Sequence, residues 1–178
     1  MPSSFGHAAA GYALMRGAGG RLRRDWMALV AATAPDLDIL AGLLTKGPID
    51  YSNRRSHSIG AALAAGLVTG GWARLAGRQF VPGALLGTAA YASHLVLDYL
   101  GKEADDGLPL LWPFSERRIS SDHRVFRTIY SRRNRFFRGL ITHRNLRRVG
   151  RELAILAPVV LAGVVGGWII ESRTSGRL

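Results

Sequence analysis

Four long apolar stretches, Trp26–Leu44, Ile59–Leu75, Phe80–Leu100 and Leu153–Ile170, constrain what this chain can fold into more than any other feature. A helix needs roughly 20 apolar residues to cross the ~30 Å hydrocarbon layer of a bilayer, and each stretch comes near that length. Leu153–Ile170 is the cleanest, carrying no charge along its course, with Glu171 and Arg173 waiting at its end. Small residues recur at four-residue spacing, as Ala62, Gly66 and Gly70, then Gly83 and Gly87, then Gly163 and Gly167. In lipid, where burial of apolar surface no longer drives association, this spacing lets helix backbones approach closely. No strand-like alternation of useful length and no internal repeat is visible. The pattern predicts an all-α integral membrane bundle of about four hydrophobic helices, preceded by a short helix over Phe5–Met15.

A length of 178 residues suits a single domain. Residues 101–150 are its one substantial polar region, an Arg-rich insertion before the last hydrophobic helix, for which one or two basic amphipathic helices are expected. The chain carries 24 Lys and Arg against 12 Asp and Glu, for a formal net charge of +12, and the basic density peaks between Arg117 and Arg151. Guanidinium groups grip phosphate oxygens in a bidentate way. The interspersed Phe126, Tyr130, Phe136 and Phe137 suit an interfacial helix facing anionic lipid headgroups better than a platform for stacking bases. Lipid is therefore the expected partner, and nucleic acid is not. Met1–Arg24 lacks the pattern of a removable signal peptide, so insertion is expected to use the internal apolar segments. There is no Cys, which excludes disulfides and thiolate ligands, so any metal must be held by His and carboxylate.

Those residue types occur in and beside the apolar stretches. His94 and Asp98 stand four apart in Phe80–Leu100 and project from one helix face, a spacing that suits two ligands on one ion. Ionisable groups at membrane depth are costly and commonly functional. Asp36 and Asp38 follow Pro35, which interrupts a regular helix and lets both carboxylates converge; a helix cap is the plain alternative. His57 lies where Ile59–Leu75 begins, with Arg54 and Arg55 beside it. His7 precedes Gly11, which would admit a neighbouring helix. Three carboxylates in an apolar bundle repel one another unless cations are present. Imidazole and carboxylate together suit Zn²⁺ first, or Mn²⁺ or Fe²⁺, and His7, Asp36, Asp38, His57, His94 and Asp98 suffice for one or two ions.

In order and content, His7 with Gly11, Ala34-Pro35-Asp36-Leu37-Asp38, Arg55-Ser56-His57-Ser58, Ser93-His94-Leu95-Val96-Leu97-Asp98 and Pro109-Leu110-Leu111-Trp112-Pro113-Phe114-Ser115 resemble the LexA-regulated, membrane-bound metal-dependent hydrolase family of bacteria. That family is distantly similar to the zinc-dependent phospholipase C and single-strand nuclease superfamily. The resemblance implies a multi-pass protein of the bacterial inner membrane, a hydrolytic activity, and metal binding at His7, Asp36, Asp38, His57, His94 and Asp98. One departure stands out: the family usually carries a further His five residues before the position of His57, where this chain has Ser52.

The leading expectation is hydrolysis of a phosphoester, phospholipid included, by metal-activated water. Asp36 or Asp38 would orient the water or bridge metals, and Arg54 or Arg55 would stabilise developing charge. The alternative is a non-catalytic membrane protein that binds anionic lipid through its Arg-rich segment, with the acids and histidines serving helix packing. A transporter with intramembrane acids is a third option, for which the chain is short.

Overall fold

The computed structural model describes residues 2–19, 22, 25–37, 54–101, 107–123, 125–126 and 142–175. They form five α-helices: α1 (Ser4–Gly17), α2 (Met27–Thr33), α3 (Ile59–Leu75), α4 (Phe80–Tyr99) and α5 (His143–Ser175). A 3₁₀ turn, Ala34–Asp36, follows α2. No strand occurs among the described residues, where only isolated bridges pair Gly101 with Phe126 and Leu108 with Ile119. The all-α expectation holds.

Local chemistry sets the helix starts. Ser3 Oγ accepts the Gly6 N–H at 3.0 Å to cap α1, and Ser58 Oγ accepts the Ala61 N–H at 3.1 Å to cap α3. Each satisfies a donor that has no partner inside its helix. Pro82 falls in the first turn of α4, where its missing N–H costs nothing.

Small residues then bring the helices together. α3 and α4 form an antiparallel pair in which Gly66 faces Ala84 and Thr88, Gly70 faces Phe80 and Ala84, Gly83 faces Ala73, and Gly87 faces Thr69. Thr69 Oγ1 donates across the pair to the Gly83 carbonyl at 3.2 Å. α1 lies antiparallel to α2, with Gly11 against Ala28 and Ala32. It also runs alongside α5 in the same direction, where Gly163 meets the backbone of Ala13 and Gly167 that of Arg16. The predicted four-residue spacings are thus the helix contacts. At one end of the bundle stand the starts of α1 and α3 and the ends of α2 and α4. At the other, Arg78 pairs with the buried Asp25 at 3.0 Å, tying the entry of α2 to the α3–α4 turn, and Trp26 packs edge-on to Trp72.

As expected from Pro35, Trp26–Leu44 does not begin as one unbroken α-helix: α2 gives way to the 3₁₀ turn at Ala34-Pro35-Asp36, and residues 38–44 lie outside the described residues. One boundary differs from expectation. The last hydrophobic helix starts at His143, so Arg144, Arg147, Arg148 and Arg151 form its first turns and do not belong to a separate insertion. At 1.5 Å per residue α5 is about 50 Å long, longer than its apolar part. Of residues 101–150, where one or two amphipathic helices are expected, 107–123 carry no helix and 127–141 fall outside the described residues.

Two of the four apolar stretches, in α4 and α5, form helices long and apolar enough to cross a membrane, and α3 is a shorter apolar helix of 17 residues. Leu63, Leu67 and Val68 of α3, Val81, Leu85 and Val96 of α4, and Leu161, Val165 and Trp168 of α5 are exposed. The interior holds Ala and Gly together with buried His7, His57, His94 and Asp98. An apolar outside around a polar inside is the arrangement lipid favours and water does not.

A Cβ at Gly163 would overlap the Ala13 backbone, whereas one at Gly166 meets nothing within 4 Å. Gly163→Val is expected to destabilise the detergent-solubilised protein by about 1–3 kcal/mol, and Gly166→Val to leave it unchanged, as read by thermal unfolding.

Candidate metal centre

The residues of the cluster arrive from four different elements at the same end of the bundle. His7 lies in the second turn of α1, Asp36 ends the 3₁₀ turn after α2, His57 directly precedes the cap of α3, and His94 and Asp98 share a face near the end of α4. The rings of His7 and His94 stack with centroids 3.6 Å apart and planes within 16°. His57 approaches His94 edge-on, at 5.3 Å between centroids.

Asp98 is the hub. Its Oδ1 lies 3.5 Å from His7 Nε2, and its Oδ2 lies 3.1 Å from His57 Nε2 and 3.3 Å from His94 Nε2. Asp36 Oδ1 stands 3.7 Å from His94 Nε2, while Ser4 Oγ donates to Asp36 Oδ2 at 2.8 Å. His7, His94 and Asp98 offer ligand atoms that all lie within 4.8 Å of one another, so this buried triad could hold a metal ion.

Hydrogen bonding tests that fit. His94 Nδ1 lies 2.9 Å from the Ala32 carbonyl, an acceptor, so Nδ1 carries a proton, and whenever the ring is neutral Nε2 turns a lone pair toward Asp98. Two acceptors then face each other at 3.3 Å in a dry interior, which is repulsive unless positive charge sits between them. Both oxygens of Asp98, Nε2 of His94 and both ring nitrogens of His7 are buried with no hydrogen-bond partner. Native interiors seldom leave so many polar atoms unmet together, and a cation is what carboxylate oxygens and imidazole lone pairs jointly satisfy. Burial lowers the His7 pKa below the ordinary imidazole value, outweighing the opposing pull of Asp98. The ring is thereby neutral at pH 7, the state a ligand requires.

The remaining sequence-predicted residues divide. His57 Nδ1 lies 3.0 Å from Ser56 Oγ, leaving Nε2 as the atom that faces Asp98. Arg54 is buried, and its carbonyl accepts the His57 N–H at 2.9 Å. Arg55 is at the surface, 3.6 Å from Glu116 and over the Trp112 ring. Asp38 and Ser52 lie outside the described residues. His123 and His143 are exposed and join no cluster. Pro109–Ser115 contributes no ligand among the described atoms. It covers the start of α3, where the Leu110 carbonyl accepts the Ile59 N–H at 2.9 Å and Gly60 lies against Trp112 and Pro113.

The chain belongs to the YdjM inner membrane protein family. That family's model matches residues 1–172, which takes in every helix described above apart from the last residues of α5. No curated protein and no solved structure matches the chain. With α4 and α5 long and apolar enough to cross, the family assignment makes this a membrane protein.

Three supporting contacts were not anticipated from sequence. Tyr91, one turn before His94, donates its hydroxyl to the Ser56 carbonyl at 2.6 Å and so steadies the segment bearing His57. Ser4 holds Asp36. Glu152, buried in α5, accepts the Ser3 N–H. Only Glu152 left a sequence signal, an acid bordering the cleanest apolar run.

Asp98→Asn tests the hub. The wild type is expected to gain thermal stability with added Zn²⁺, and this gain to weaken as the pH falls below about 6.5, where imidazoles take up protons and cease to be ligands. Asp98→Asn is expected to melt no lower than wild type without metal and to lose the metal-dependent gain, measured by thermal shift in detergent.

Proposed function

We propose that this protein is a membrane-bound metal-dependent hydrolase of a phosphoester, phospholipids included. The observation that carries the reading is the Asp98 carboxylate, buried with three imidazole Nε2 atoms within 3.5 Å and no hydrogen bond to either oxygen. Zn²⁺ is the ion that best suits an N/O donor set without sulfur, with Mn²⁺ or Fe²⁺ as alternatives. When bound, a divalent cation supplies Lewis acidity, acidifying a water and polarising a phosphoryl oxygen.

The chain's own residues would do the rest. His7, His94 and Asp98 would hold the ion, and His57 would complete the set. Asp36 is the most open carboxylate of the group, its side chain 15% exposed. Ser4 occupies its Oδ2, which leaves Oδ1 to take a proton from the attacking water. Asp38 is the second carboxylate for this role, or for a second ion. Arg54, buried three residues before His57, would neutralise charge developing on phosphate, and the exposed Arg55 would receive the substrate.

The membrane setting favours a lipid-borne substrate. Glu152 packs beside the first turn of α1, and the apolar run of α5 begins at the next residue. With α5 crossing the membrane, His7 would lie level with the boundary between headgroups and hydrocarbon, near the depth of a lipid phosphate. In this reading α3, α4 and α5 all cross, making the protein multi-pass, and the Arg-rich chain before α5 meets anionic headgroups on the site's side.

The test is metal analysis of detergent-purified protein, followed by assays on soluble phosphodiesters and phospholipids. Turnover is expected to disappear with chelator and return with Zn²⁺. Asp36→Asn is expected to lower kcat by roughly 100-fold or more while keeping the metal, as befits removal of a general base. Stoichiometric metal with no hydrolysis of any phosphoester would sink the hydrolase reading and leave a lipid-binding protein with a structural ion.

A further inference from the structure

Glu152 is an ionisable side chain, 4% exposed, in a helix whose following residues are apolar and mostly face outward. A carboxylate in such a place is costly unless it has a task. Its two oxygens each lie 3.0 Å from one donor, the Ser3 N–H. Ser3 is the N-cap of α1, and its side chain holds the Gly6 N–H. Gly6 lies directly beneath the carboxylate, where any Cβ would collide with Glu152 Oε1. His7 is the next residue, its Nε2 turned to Asp98. One turn further along both helices, Leu156 packs with Ala10 and with Leu97 of α4.

We infer that Glu152 is the positioning residue for His7: by gripping the Ser3 N–H over Gly6, the last helix sets the height and rotation of α1 and so brings His7 Nε2 to the Asp98 side of the metal centre. Glu152 lies outside the group of His7, His94 and Asp98 whose ligand atoms converge, so it acts through α1 and does not ligate. The inference rests on the metal-centre reading and adds that α5 is part of the site, although it supplies no ligand.

Ligand-orienting partners typically change metal affinity by about 10–100-fold when removed. In detergent, Zn²⁺ affinity is measured by competition with a chromophoric chelator, and the ligand field by the visible spectrum of the Co²⁺-loaded protein. Glu152→Leu, which keeps the bulk, is expected to weaken Zn²⁺ binding within that range and to alter the Co²⁺ bands. Glu152→Gln keeps a carbonyl acceptor for Ser3 and is expected to restore most of the affinity. A second pair approaches from the donor's side and covers the case in which Glu152→Leu does not fold. Ser3 has φ −78°, which proline accepts, so Ser3→Pro deletes the N–H and the side-chain cap, while Ser3→Ala deletes the cap alone. Ser3→Pro is expected to bind Zn²⁺ at least roughly tenfold more weakly than Ser3→Ala, again within the orienting-partner range.

A wild type that binds no metal overturns the metal centre and this inference with it. If the wild type binds Zn²⁺ while Glu152→Leu matches it in affinity and Co²⁺ spectrum, or Ser3→Pro matches Ser3→Ala, this inference alone is overturned.

Discussion

A carboxylate inside an apolar bundle has to be matched by positive charge or by donors, and Asp98 has three imidazoles and no hydrogen bond. The rest of the site follows from that constraint. The Ala32 carbonyl fixes a proton of His94 on Nδ1, so in the neutral ring its other nitrogen is an acceptor. Stacking at 3.6 Å makes it costly for His7 and His94 to be charged together. Burial keeps His7 neutral. Lone pairs on nitrogen and oxygen therefore converge on one small volume, and a divalent cation satisfies all of them at once. Asp98 also occupies the last turn of α4, the end at which the helix dipole opposes negative charge, so its neighbours must offset that as well.

Bringing four elements to one point inside a bundle this thin requires close helix approach. Gly66, Gly70, Gly83 and Gly87 draw α3 and α4 together, setting the height of His57 at the start of one against His94 and Asp98 near the end of the other. Gly11 lets α2 lie against α1, which brings Asp36 to Ser4 and the Ala32 carbonyl to His94. Gly163 and Gly167 seat α5 on α1, with Glu152 at the top of that contact. Packing by small residues and the polar centre are thus one design. Larger side chains would swell the bundle, and a shift of about 1 Å is enough to spoil a site of this kind.

The all-helical class, the helical contacts of small residues and the shared face of His94 and Asp98 were legible in the chain, because apolar length and residue spacing act locally along a helix. So was the break at Pro35, since proline's missing N–H and fixed φ act on its own turn. The true start of the last helix was not legible: Arg144–Arg151 reads as a polar segment in a window of composition, yet long basic side chains continue a helix readily. Asp36, His57 and His7 were candidates one by one, each with a bland alternative.

What the amino-acid sequence determined by itself is the material of the site: apolar helices without cysteine, His and carboxylates set in and beside them, and the ligand types that follow. Only the tertiary structure decided which of these meet. His7 and Asp98 are far apart along the chain, and their separation of 3.5 Å depends on the rotation and height of α1 against α4. That rotation is set by close approach at Gly6, Gly11, Gly163 and Gly167 and by the grip of Glu152 on Ser3. Such contacts join residues remote in sequence, and their energy exists only once the helices have packed.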